Sequence, residues 1–122
     1  MTRERNVLGQ FGEQYACEHL ARAGYRILER NVRLRGGEID IVAQNRGTLV
    51  LVEVRTRRSR RLGTPEESIT KAKARRLADL GETYVQERNL GETTWRIDVV
   101  AIDVSAQGEV TRLAHYKNAV AG

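Results

Sequence analysis

The amino-acid sequence predicts an α/β fold with the element order α-β-β-β-α-β-β and a mixed sheet. Two runs of β-branched residues joined by a glycine-containing turn indicate a central β-hairpin. Apolar residues at helical spacing before and after the hairpin predict two helices. The second helix is long enough for a right-handed crossover to a parallel strand, which makes the sheet mixed. Because the chain has 122 residues and no linker, repeat or low-complexity tract, we expect a single domain over residues 1–122.

The first helix is predicted over Val7–Ala23, and Gly24 is placed to end it. Its apolar face is expected to consist of Leu8, Phe11, Tyr15 and His19, flanked by the small residues Gly12 and Ala16. Glu13 lies at the edge of that face. It either points over the sheet towards Asp40 or is a solvated helix glutamate, which is the commoner case. The first strand is then predicted within Tyr25–Leu34, although its periodicity is imperfect.

The central hairpin is predicted from residues 37–44 and 49–55 with a turn between them. If the loop is Arg46-Gly47, Asn45 pairs with Thr48, and Asp40 lies directly across from Glu53. Because side chains alternate along a strand, one face is expected to carry the core residues Ile39, Ile41, Ala43, Val50, Val52 and Val54. The other face carries Val42, Leu49 and Leu51 near the turn and Glu38, Asp40, Glu53 and Arg55 at the far end.

Asp40 and Glu53 form the most unusual pair in the predicted sheet. Two carboxylates that face each other across strands cost roughly 0.2–1 kcal/mol at the surface and more when desolvated. A divalent cation between them would remove this penalty, because hard cations prefer carboxylate oxygens. The alternative is that Arg55 pairs with Glu38 across the hairpin while Asp40 stays solvated. The residue pattern alone leaves both interpretations open.

Basic residues follow the hairpin closely. The formal net charge is +5, from 21 Lys and Arg against 16 Asp and Glu. The cations concentrate in one block and the predicted helix after it: Arg55, Arg57, Arg58, Arg60, Arg61, Lys71, Lys73, Arg75 and Arg76. A basic block beside an acidic pair suits a polyanion whose phosphates are held near a metal. The alternative is a solvated loop and helix face.

The second helix is expected to begin with Thr64 as its N-cap and Pro65 at its first position. It is predicted to run to about Arg88. After a short connector, Thr93–Val104 is predicted to form a strand that is buried on both sides for part of its length. Glu109–Tyr116 is predicted to form a short final strand.

Several classes of protein are excluded by composition. No apolar run approaches the roughly 20 residues that span a bilayer, and the N-terminus lacks the apolar segment of a secretory signal. The expected location is therefore cytoplasmic. Cys17 is the only cysteine, so no disulfide framework is expected, and His19 and His115 do not have the spacing of zinc ligands.

Acidic residues recur in three successive parts of the predicted fold: Glu13 in the first helix, Asp40 in one hairpin strand and Glu53 in the other. Glu53 also begins a Glu-x-(Lys/Arg) motif that ends at Arg55. This arrangement resembles the PD-(D/E)XK nuclease superfamily, and more specifically the YraN-type family of small endonuclease-like proteins. The resemblance covers nearly the whole chain, and the matching segments are residues 12–13, 36–42, 52–57, 68–73, 97–100 and 117–119.

The resemblance implies a restriction-endonuclease-like core, as in archaeal Holliday-junction resolvases, with a mixed sheet flanked by helices. It also implies hydrolysis of phosphodiester bonds in DNA, branched or otherwise structured, with Mg²⁺ or Mn²⁺ as cofactor. Resolvase-like relatives are dimers, which makes a homodimer an expected partner, although the sequence shows no dimer interface. The alternative from another class is a nucleic-acid-binding protein that keeps the nuclease fold without turnover.

Carried over residue by residue, the resemblance makes Asp40 and Glu53 the metal ligands and Glu13 an auxiliary acid. Arg55 takes the lysine position of the superfamily, and Glu38 would support it. A guanidinium cannot surrender a proton near neutral pH, so Arg55 is excluded as a general base but can orient water or stabilise charge on the phosphate. The expected contacts with flanking phosphates are Arg57, Arg58, Arg60, Arg61, Lys71 and Lys73. Ile39 replaces the nominal proline, a departure that costs little.

Overall fold

A computed structural model describes residues 3–58 and 70–120, with side chains from Val7 onward in the first helix. The elements are α1 (Arg3–Arg22), β1 (Arg26–Leu34), β2 (Gly37–Asn45), β3 (Thr48–Arg57), α2 (Lys71–Glu87), β4 (Trp95–Val104) and β5 (Val110–Tyr116). This is the predicted order, α-β-β-β-α-β-β. Neither described helix is both long and apolar enough to cross a bilayer.

The five strands form one sheet in the order β1-β2-β3-β4-β5. The pairs β1–β2, β2–β3 and β4–β5 are antiparallel, whereas β3 and β4 are parallel. A parallel neighbour requires a crossover connection, and α2 lies in that connection. The sheet is therefore mixed and flanked by two helices, which confirms the predicted restriction-endonuclease-like core.

The β2–β3 hairpin has the predicted turn. Arg46 and Gly47 both have positive φ angles, 51° and 81°, as a two-residue type I′ turn requires. Asn45 pairs with Thr48, and the ladder continues from there to the pair Ile41–Val52. The predicted register of the hairpin is therefore confirmed over its paired length.

Two apolar layers cover the two faces of the sheet. The layer on the α1 side, called here the α1-side core, includes Ala16, Leu20, Ile41, Ala43, Val50, Val52, Val100 and Ile102. The layer on the α2 side, the α2-side core, includes Val32, Ile39, Val42, Leu49, Leu51, Leu77, Leu80, Tyr84 and Ile97. The hairpin is thus buried on both faces near its turn, and β4 contributes to both layers, as expected for that strand.

The position of Ile39 corrects the predicted face assignment. Alternation placed Ile39 beside Ile41, but Ile39 packs in the α2-side core and Ile41 in the α1-side core. The neighbouring Val42 packs on the α2 side as predicted. The alternation of side chains in β2 therefore breaks just after Asp40.

Helix α1 lies in close contact with β3 at Gly12. A Cβ atom on Gly12 would lie 1.8 Å from Thr56 Oγ1, so only glycine permits this contact. The buried face of α1 is formed by the small residues and Leu20, whereas Phe11 is 40% exposed. The expectation that Phe11 belongs to the buried face is therefore wrong. Helix α1 also begins at Arg3, ahead of the predicted Val7.

Helix α2 begins at Lys71 with Thr70 as its N-cap, whose hydroxyl accepts a hydrogen bond from the Lys73 amide at 3.2 Å. Thr70 has extended backbone angles, so a helix running without a break from Thr64 is excluded. The predicted start itself, at Thr64 and Pro65, lies outside the described residues. The predicted end is confirmed, because Arg88 is the C-cap.

Candidate active site

A cleft of about 600 Å³ opens between the first half of α1 and the ends of β1, β2 and β3 that lie away from the hairpin turn. Helix α1 contributes Glu13 to it and β1 contributes Asn31. The two hairpin strands contribute Asp40 and Arg55, along with other residues of these segments. The cleft therefore brings together elements that are far apart in the sequence.

Asp40 stands where the two hairpin strands separate. Their ladder ends at Ile41–Val52, one pair before Asp40 and Glu53. Instead of a ladder bond, the Val54 amide donates to the Asp40 carboxylate at 2.8 Å. This hydrogen bond fixes the carboxylate in the gap between the strands, because the Asp40 side chain takes the place of a backbone acceptor.

A left-handed residue opposite Asp40 explains why that side chain reaches the cleft. Asn31 in β1 has φ = 52° and lies between the register pairs Arg30–Ile41 and Val32–Ile39. Regular alternation would turn Asp40 away from the side on which Ile41 packs. The alternation breaks at Asn31 and Asp40 together, so both residues line the cleft on the α1 side.

Three acidic side chains surround Asp40. Carboxylate oxygens of Glu13, Glu38 and Asp40 all lie within 4.8 Å of one another. Glu53 approaches from the other side of the sheet, where it borders an apolar pocket with Ile39 and Leu77. Its carboxyl group hydrogen-bonds to that of Asp40 through the gap between the strands. Asp40 is thus flanked by Glu13 and Glu38 in the cleft and by Glu53 from the opposite face of the sheet. The prediction that Asp40 and Glu53 share one face of the hairpin is therefore wrong, although their carboxyl groups are close enough to interact.

This crowding disfavours ionisation. Burial raises the pKa of Asp40 well above the usual range for an aspartate, and the charge of Glu53 raises it further. The hydrogen bond from the Val54 amide opposes the rise without cancelling it. Burial also raises the pKa of Glu13, against a hydrogen bond with Asn31 that lowers it. A bound cation would reverse both shifts.

Arg55 is held by a different acid from the one expected. Its Nε lies 3.3 Å from Glu53 Oε2, within an ion pair that is only partly exposed. Glu38 instead forms an ion pair with Arg33, at 3.7 Å. The expected pairing of Arg55 with Glu38 is therefore wrong. Arg55 stays in the cleft next to the acids, as its position in the motif suggested.

The predicted phosphate-contacting cations are dispersed. Arg57 donates to Asp103 at 2.8 Å and is turned towards β4, whereas Arg58 is exposed. Arg60 and Arg61 lie outside the described residues. Lys71 and Lys73 begin α2, and neither lines the described cleft. Among the residues that the structure describes, the cations that line it are Arg33 and Arg55.

Sequence reasoning missed Asn31 and Arg33 as cleft residues. Both lie in β1, whose imperfect periodicity was the one available sign of an irregular strand. Asn is also among the few non-glycine residues that adopt a left-handed conformation readily. The combination of a broken strand pattern with an Asn would have pointed to this position.

The sheet topology and the acids at the fork of the hairpin define a class, the PD-(D/E)XK-like nuclease superfamily. The model of the uncharacterised protein family UPF0102 matches residues 12–102. The chain belongs to this family, which is the YraN family, and the resemblance predicted from the sequence is confirmed.

Relatives in this family are similar over almost their full lengths. A UPF0102 protein of Roseiflexus castenholzii is 48% identical over 98% of both chains. A UPF0102 protein of Symbiobacterium thermophilum is 50% identical over 84% of this chain and 87% of its own. A third, from Moorella thermoacetica, is 45% identical over 98% of this chain and 99% of its own.

Proposed function

We propose that the protein is a metal-dependent nuclease that hydrolyses phosphodiester bonds of DNA. The observation that carries the proposal is the convergence of carboxyl groups on Asp40, with Glu13 and Glu38 beside it in the cleft and Glu53 reaching it from the opposite face of the sheet, while the Val54 amide holds Asp40 in place. Acids that raise one another's pKa values cost stability, and such clusters are concentrated at functional sites. Binding of a metal cation is the function that fits this geometry.

The donors fit a hard divalent cation. Mg²⁺ and Mn²⁺ prefer oxygen ligands, and all four acids at the fork supply carboxylate oxygens. Asp40 and Glu53 would hold the ion, with Glu13 as an auxiliary acid. A bound ion of this kind supplies a Lewis acid for the scissile phosphate and lowers the pKa of coordinated water.

The proposed role of Arg55 is to bind the phosphate, not to act as a base. Its guanidinium stays protonated near neutral pH and therefore cannot act as the base. It lines the cleft while paired with Glu53, so it can donate hydrogen bonds to a phosphate beside the acids. Such donors stabilise the negative charge that develops on the phosphate during hydrolysis.

We also propose a substrate, an oligomeric state and a location. The proposed substrate is branched or structured DNA, the proposed active form is a homodimer, and the proposed location is the cytoplasm. The family resemblance to resolvases, which act as dimers on DNA, supports the proposed substrate and the proposed dimer. The same proposal includes contacts with flanking phosphates by Arg58, Lys71 and Lys73.

The test combines calorimetry with cleavage assays. Mn²⁺ is titrated into the wild-type protein and into Asp40→Asn, Glu53→Gln and the matched control Glu82→Gln, an isosteric change at an exposed acid of α2. We expect Mn²⁺ binding and cleavage of branched DNA in the wild type and the control, and loss of both in the two cleft variants. Cleavage that is equal in all four proteins would show a contaminating nuclease and remove the proposal.

A second candidate is a nucleic-acid-binding protein without turnover, and Arg55 in the lysine position is the observation that favours it. It predicts DNA binding that depends on salt and persists in Asp40→Asn. No cleavage would occur with any divalent cation. DNA binding by the wild type without cleavage, in the presence of bound Mn²⁺, would select this candidate.

A further inference from the structure

A second cleft, of about 410 Å³, lies at the hairpin-turn end of the sheet. Three cations line it: Arg46 from the β2–β3 turn, Arg96 from β4, and Lys117 from the turn after β5. The other lining residues are uncharged, namely Ala23, Asn45 and Thr48. The described wall of this cleft is therefore positively charged, and no acid lines it.

The guanidinium of Arg96 is held in place by the buried acid Asp98. Asp98 is completely buried, and it accepts Arg96 Nε at 2.9 Å and the Tyr25 hydroxyl at 3.2 Å. Arg96 Nη2 donates to that same hydroxyl at 2.8 Å. Its Nη1 makes no hydrogen bond to any residue that the structure describes. The guanidinium is thus fixed on one side and available on the other.

The backbone that carries Lys117 is anchored to the same strand. The Asn118 amide donates to Asp98 at 2.9 Å, and the Ala119 amide donates to the Ile97 carbonyl at 2.8 Å. Across the cleft, Arg46 occupies the rigid two-residue turn of the hairpin. The Cα positions of all three cations are therefore set by a strand or by turns anchored to strands, so little backbone ordering is needed when an anion binds.

We propose that this second cleft is a phosphate-binding site. A guanidinium with a free edge matches a phosphate oxygen in charge and geometry, and two further cations stand around it. Asp98 offsets only one of the three positive charges. The site needs no metal and no catalysis, so it stands whether or not the protein is a nuclease.

The distance between the two clefts indicates that a nucleic-acid strand can supply the phosphate. Five residues of β2 separate Asp40 from Asn45, a span of roughly 17 Å at about 3.4 Å per residue. Along one strand of a duplex this corresponds to about five phosphates. A nucleic-acid strand at the first cleft can therefore present a second phosphate at the Asn45 edge of the second cleft. Free phosphate or a nucleotide would bind through the same chemistry.

The test uses inorganic phosphate as the probe, without metal. Phosphate is titrated into ¹⁵N-labelled wild type and into Arg46→Gln, Lys117→Gln and the control Arg35→Gln, which loses the same charge from the exposed turn between β1 and β2. Arg96 is left unchanged, because removing it would leave Asp98 buried without its main partner. We expect amide shifts at residues 45–48, 96 and 117–118. Affinity should fall about twofold to fivefold in each cleft variant and stay unchanged in the control.

A single-stranded DNA oligonucleotide, titrated in parallel, distinguishes the sources. If the cleft variants weaken both DNA and phosphate binding, the site binds a strand; if they weaken phosphate binding alone, it binds a free anion. Both results support the site. Phosphate shifts confined to other segments, or equal affinity in all four proteins, would overturn it. Because no metal or cleavage enters the test, its outcome is separate from that of the proposed nuclease activity.

Discussion

Two aspartates on the α1 side of the sheet have opposite surroundings. Asp98 is completely buried and accepts hydrogen bonds from Arg96, Tyr25, His115 and the Asn118 amide. Asp40, at the other end of the sheet, is half-buried and faces carboxyl groups, with the Val54 amide as its described backbone donor. One acid is surrounded by donors, the other by acceptors.

Burial acts to raise the pKa of both acids, and the surroundings decide whether that rise is cancelled or increased. Burial by itself would raise the pKa of Asp98, but hydrogen bonds from His115, Arg96 and the Asn118 amide lower it to about 2. Burial raises the pKa of Asp40, and Glu53 adds to the rise. A donor-rich site stabilises the folded protein by itself. An acid-rich site costs stability until a cation binds, which is why only Asp40 indicates a function.

The same isosteric substitution at both positions should have opposite effects. Asp98→Asn leaves Arg96 and His115 without a buried anion, so the free energy of unfolding should fall by about 3–5 kcal/mol. Asp40→Asn keeps an acceptor for the Val54 amide and removes the repulsion, so stability should stay within about 1 kcal/mol of the wild type or exceed it. Urea unfolding at neutral pH without metal measures both. Equal losses in the two variants would show that the surroundings do not distinguish these acids.

The two sites also differ in how far the sequence predicted them. The hairpin register, the acids at its open end and both apolar layers follow from local patterns, because turn chemistry and alternation act over a few residues. The network around Asp98 joins residues from β1, β4, β5 and the final turn, and no local pattern encodes such contacts. The break at Asn31 was also missed, because a left-handed residue inside a strand contradicts the regular alternation used for prediction.

The free energy of unfolding should depend on pH with opposite signs for Asp98 and Asp40. A lowered pKa means that Asp98 contributes stability above the unfolded-state value of about 4 and loses it as the pH falls towards 2. The loss should amount to about 2 kcal/mol. Asp40, whose pKa is raised to about 8, has the opposite sign: its ionisation costs stability as the pH rises from about 4 to 8.

Unfolding free energies of the wild type and both asparagine variants, measured from acid to pH 8, provide the check. Asp98→Asn should lack most of the acid-induced loss. Asp40→Asn should gain stability relative to the wild type as the pH rises. A parallel pH dependence in all three proteins would mean that neither carboxyl group is perturbed by folding.

The smallest expected effect lies at Asn31, which connects β1 to the acidic cluster. Glycine adopts its left-handed conformation freely, so Asn31→Gly should leave stability within about 1 kcal/mol of the wild type. Asn31→Ala adds the strain of a left-handed non-glycine residue and should cost roughly 1–2 kcal/mol more. Both substitutions remove the hydrogen bond to Glu13. Urea unfolding and Mn²⁺ calorimetry on the pair separate the backbone effect from the side-chain effect.

If Asn31 positions Glu13 beside Asp40, the two variants should weaken Mn²⁺ binding by the same factor, about fivefold for one lost hydrogen bond. If both variants lose the same Mn²⁺ affinity but differ in unfolding stability, the loss of affinity comes from the missing amide side chain rather than from the backbone. Weakening in Asn31→Ala alone would instead assign it to the left-handed backbone, which sets the direction of Asp40. Either way the acid-rich end of the sheet depends on one irregular residue, whereas the donor-rich end depends on a network that several elements share.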